Sequence, residues 1–83
     1  MNSLSEIIRM NIRSSLQERF NELILKVSSN QNWDESKINQ LYKDIQDLME
    51  GLKSYGLEDK EIAFAYSSLA DVLSHLKSKY FIK

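Results

Sequence analysis

The stretch from Trp33 to Gly56, WDESKINQLYKDIQDLMEGLKSYG, decides the fold. Within it Ile38, Leu41, Ile45, Leu48, Leu52 and Tyr55 recur at alternating steps of three and four, and Tyr42 and Met49 widen the row. Residues so spaced share one side of an α-helix, so this segment has a wet face and a dry face. The dry face has to lie against other helices. Asp34 suits the N-cap, where its carboxylate accepts from an otherwise unpaired amide. Trp33 and Ile38 bracket that cap at the spacing of a hydrophobic staple. Gly56, free of a Cβ, suits a left-handed C-cap.

Toward the N-terminus, Ser28–Ser29–Asn30–Gln31–Asn32 reads as a loop, since these residues bond readily to their own backbone. Before it, Ser3 and Glu6 have capping-box spacing and predict a helix start. Leu4, Ile8, Ile12, Leu16, Phe20, Leu23 and Val27 form the expected core stripe of that helix, broadened by Ile7, Ile24 and Leu25. Their spacing is mostly four, so the stripe wraps around a helix of period 3.6 instead of running straight. Ser14 and Ser15 are its weakest helix formers and mark a place where it can break.

Toward the C-terminus the same grammar returns. Leu57 and Ile62 have staple spacing around a start near Glu58. Glu58, Asp59 and Glu61 suit the positive end of a helix dipole, and Lys77 and Lys79 suit the negative end. The expected core is Ile62, Ala65, Tyr66, Leu69, Val72, Leu73, Leu76 and Tyr80, with Phe81–Lys83 as a fraying end. The fold class is therefore all-α: a small antiparallel bundle of three long helices, or four if the first breaks near Ser14–Ser15. Residues 1–83 form one domain.

Composition narrows the function. Eighty-three residues lie near the lower limit for a self-sufficient core, and there is no cysteine to staple them. A net charge of −1 argues against general nucleic-acid binding, which needs a dense cationic surface. No apolar run approaches the ~20 residues that span a bilayer. The first residues lack the basic region and apolar block of a secretory signal, so a cytoplasmic location is expected.

Catalytic signatures fail in turn. His75 is the one histidine, and Ser74 beside it points about 100° away around a helix. No Glu-x-x-His pair, glycine-rich phosphate loop or calcium loop is present. No enzyme activity, cofactor or metal is expected. A protein partner remains. Phe64 lies away from the core stripe, and Asp71 and His75 continue its side of the helix; an aromatic there is the form of an interface anchor. Beside it Ala63, Ser67, Ala70, Ser74 and Ser78 form a row of small residues, against which either the first helix or a partner helix packs. Asp44, Asp47 and Glu50 form an acidic row on the outer side of the second helix, read as a patch for a basic partner or as a solvated face. Arg9 and Arg13 read as a solvated face beside Glu6 and Glu18, or with Arg19 and Lys26 as a weak nucleic-acid surface.

The helix Ile38–Tyr55, the turn Tyr55–Gly56–Leu57 and the helix Glu58–Tyr80 resemble the small cytosolic helical bundles that protect bacteria from their own bacteriocins. That resemblance implies four antiparallel helices and a longer C-terminal tail. A chain reaching only Lys83 is expected to lack the part implied to set specificity, so no functional residues are carried over. The expectation is a non-enzymatic protein-binding module such as an immunity protein, antitoxin or small inhibitor. A homodimeric bundle, suggested by Met10, Leu25 and Phe64 lying off the main stripes, is the alternative.

Overall fold

The computed structural model describes residues 3–29 and 33–81, the last by its backbone alone. It is a small helical bundle of three helices: α1 (Leu4–Ser29), α2 (Glu35–Tyr55) and α3 (Lys60–Leu76), the last continued by a π-helical segment, Lys77–Phe81. No strand occurs among the described residues. Asn30, Gln31 and Asn32 of the expected loop lie outside them, as do Ile82 and Lys83.

The caps explain the helix limits. Asp34 accepts from the Lys37 amide at 2.8 Å and starts α2. Ser3 accepts from the Glu6 amide at 3.2 Å, which is half of the expected capping box. For α3 the cap is Asp59, one residue later than expected, accepting from the amides of Glu61 at 3.0 Å and Ile62 at 3.3 Å. Asp outranks Glu here because its short side chain curls back onto the first turn. The shift takes Leu57 out of staple register, and it is exposed. Gly56 does take a positive φ of 135°, but its ψ of 120° lies outside the left-handed helical region. Its amide still closes α2 on the Leu52 carbonyl at 3.1 Å.

α1 runs unbroken through Ser14 and Ser15, so no fourth helix arises there. Both serines are exposed, so water rather than the helix backbone serves their hydroxyls.

Leu41, Ile45, Leu48, Leu52, Ile62 and Leu69 are fully buried, and all belong to α2 and α3. From α1 only Leu16 and Leu23 are buried, with Phe20 and Val27 packed alongside. Leu4, Ile8 and Ile12, expected in the core, are 74%, 50% and 48% exposed. The cause is the spacing. Each step of four overshoots a full turn by about 40°, so three steps back from Leu16 to Leu4 rotate the stripe by about 120°. Tyr80, also expected inside, is exposed on the π-helical segment.

The helices do not begin and end together. α1 has 26 residues, or ~39 Å at the helical rise, whereas the molecule measures 53 × 20 × 16 Å. Arg9 meets Tyr55, the last residue of α2, so the residues ahead of Arg9 run past that end.

Candidate functional site

The first half of α1 has two unlike sides. The inner side is polar and holds the helix in place. Arg13 Nε donates to Asp59 Oδ2 at 2.7 Å and its Nη2 to Oδ1 at 3.2 Å, a bidentate pair; Nη2 also lies 3.2 Å from Glu61 Oε2. Gln17 Nε2 donates to the same Glu61 oxygen at 2.6 Å. Arg9 donates to the Tyr55 carbonyl at 2.9 Å, with its guanidinium 4.3 Å from the centre of the Tyr55 ring. Hydrogen bonding from Arg13, reinforced by the amides of Ile62 and Glu61, holds the Asp59 carboxyl down to about 2 against the opposing cost of its partial burial. The same bond raises the Arg13 guanidinium above its ordinary value. Arg9 and Arg13, read from the sequence as a solvated face, are the clasp of the fold.

The outer side is apolar and open. Leu4, Ile7, Ile8 and Ile12 are exposed there, along with Ser3, Asn11, Ser14 and Ser15. None of these residues is charged. Glu6, Arg9 and Arg13, the charged residues of this half, all fall within an arc of about 60° on the other side. Two clefts flank the ridge. One is lined by Ile8 and Ile12, with Ser5, Glu6 and Arg9 at its edge, and by Gly51, Ser54 and Tyr55 of α2. The other runs along α1 and is lined by Ile8, Asn11, Ile12, Ser15, Leu16 and Arg19. The drift of the four-spaced stripe is the sequence signal that points to this ridge.

The residues singled out from sequence fall into two separate places. Phe64 is 68% exposed and lines a cleft between α1 and α3 with Gln17, Phe20, Asn21 and Lys60. Asp71 and His75 are exposed farther along α3. Asp44 and Asp47 line a groove between α1 and α2 with Arg19, Glu22 and Lys26. Asp44 is half-exposed at the edge of this groove: its Oδ2 lies 3.8 Å from Lys26 Nζ and its Oδ1 accepts from Gln40 Nε2 at 2.9 Å. Glu50 is exposed on α2. Of the small-residue row, Ser67, Ser74 and Ser78 are exposed and Ala63 and Ala70 half-buried; Arg13 and Gln17 of α1 reach Asp59 and Glu61 at the start of α3.

Among the described residues no group of three or more His, Asp or Glu is placed to hold a metal ion, and no helix is long and apolar enough to cross a membrane. No family model, curated protein or solved structure matches the chain. The surface is therefore read from its own chemistry.

Proposed function

We propose that this chain is a non-catalytic protein-binding module, acting in the cytoplasm by presenting a rigid helical face. The observation that carries the reading is the uncharged ridge Leu4–Ile7–Ile8–Ile12, a contiguous apolar strip on a chain in which 28% of residues are charged. Contiguous exposed apolar patches mark interaction sites far more often than scattered single residues do. A small rigid bundle with such a strip suits an inhibitor, antitoxin or immunity role, in which one protein occludes another. The surfaces around Phe64, Asp71 and His75 and around Asp44, Asp47 and Glu50 are the secondary candidates. An antiparallel, up-down-up order belongs to the same reading, supported by Arg9 meeting the end of α2 and Lys26 meeting its middle. Nucleic-acid binding is the weaker reading: Arg9 and Arg13 are committed to the fold, and Lys26 faces Asp44.

Affinity capture followed by titration of the purified partner tests the proposal. Ile8→Asp is expected to weaken binding at least tenfold, while Phe64→Ala and Asp44→Lys report on the other two surfaces. Unchanged affinity in all three variants overturns it.

A further inference from the structure

The geometry points to a second copy of this chain as the occupant of the ridge: two molecules pair through the first half of α1, with the two helices antiparallel about a two-fold axis. This rests on reading the ridge as a protein-binding surface. Leu4, Ile8 and Ile12 repeat at equal steps, so the pattern reads the same in both directions. Placing the axis midway between Ile8 and Ile12 sets Ile8 of each copy against Ile12 of the other. Leu4 of each copy then enters the cleft that Asn11, Ser15, Leu16 and Arg19 line on the other.

Further observations fit a second copy. A two-fold interface brings identical residues together near its axis, so charge there repels itself; the outer side of residues 3–15 carries none. Finally, the chain has too much surface for its mass. It exposes 6178 Å², whereas a compact 9.7-kDa monomer exposes ~5,100 Å². The excess of about 1,000 Å² is comparable with the ~800 Å² that a standard interface buries on each partner. Gly51 and Ser54 border the ridge on α2. A single helix face places the pairing in the weak, reversible class.

Sedimentation equilibrium of the full chain, from micromolar to near-millimolar concentration, is the test. The wild-type chain is expected to pass from monomer to dimer. Ile8→Glu alone and Ile12→Lys alone are each expected to weaken association at least tenfold, and an equimolar mixture of the two is expected to recover it, because each hybrid dimer keeps one Ile8–Ile12 contact and gains one opposite-charge pair. Both positions are half-exposed in the monomer, and circular dichroism checks that the variants stay helical. An independent readout uses the absence of native cysteine: Asn11→Cys yields a disulfide-linked dimer on oxidation, and Ser78→Cys does not. A wild-type chain that stays monomeric throughout overturns the self-pairing. So does a mixture that recovers nothing, or cross-linking equal at the two cysteine positions. The protein-binding reading is judged separately, by the titration with a captured partner.

Discussion

Asp59 closes the first turn of α3 and receives Arg13 from α1, so one carboxylate serves two helices. Its folded pKa of about 2 lies below the ordinary 3.8. A group depressed in this way adds stability that is complete above its unfolded pKa and is lost as pH falls through the folded one. Acid titration of thermal stability is therefore expected to show a loss from near pH 4 down to pH 2, and Arg13→Gln is expected to shrink that loss; a titration unchanged by the substitution counts against the clasp. Gly56 supplies a second test. At a φ of 135° an L side chain is strained, so Gly56→Ala is expected to lower unfolding free energy by about 1–3 kcal/mol in urea titration. A glycine at this point was legible in the sequence, because helix two had to stop there. The clasp was not. Arg9 and Arg13 one turn apart look the same whether water or Asp59 receives them, and only the stagger of the helices brings the two together.

The three helices were legible to different depths. α2 alternates steps of three and four, which keeps its stripe straight, and every position from Ile38 to Leu52 in that row is buried. α3 follows the same rule over Ile62, Ala65, Leu69 and Leu76. α1 steps by four, and its stripe reaches the interface only from Leu16 onward. Existence and type of all three helices could be read from periodicity, whereas the depth of burial along α1 required its rotation against two neighbours. Two outcomes follow. Leu48→Ala is expected to cost about 2–5 kcal/mol by denaturant unfolding, while Leu25→Ser, at a position 68% exposed, stays within about 0.5 kcal/mol. In hydrogen exchange, the amides of residues 4–12 are expected to exchange faster than those of residues 16–27, because only the latter stretch carries buried side chains. Equal protection along α1 speaks against the open ridge.

As a whole the molecule is a rod. Its radius of gyration of 14.5 Å exceeds the ~12 Å of a compact chain this long. Dilute small-angle scattering is expected to return the elongated form; a value near 12 Å argues for helices drawn level. Size and class were visible in composition, since a chain with no proline and two glycines has little to interrupt helices. The stagger was not visible, because nothing in the stripe patterns sets the helices' relative height.

That height is settled by the arginines. Among the described residues no polar side chain is buried, so the interior is aliphatic throughout. Such an interior has no index mark: slide α1 by one turn and Ile12 stands where Leu16 stood, oil against oil. Arg13 on Asp59 and Arg9 on the Tyr55 carbonyl work like the notch of a vernier, admitting one setting among several that the grease alone would accept. Removing both arginines is thus expected to blur the axial alignment of the bundle while leaving its helix content intact, a difference that distances between spin labels on α1 and α2 would register.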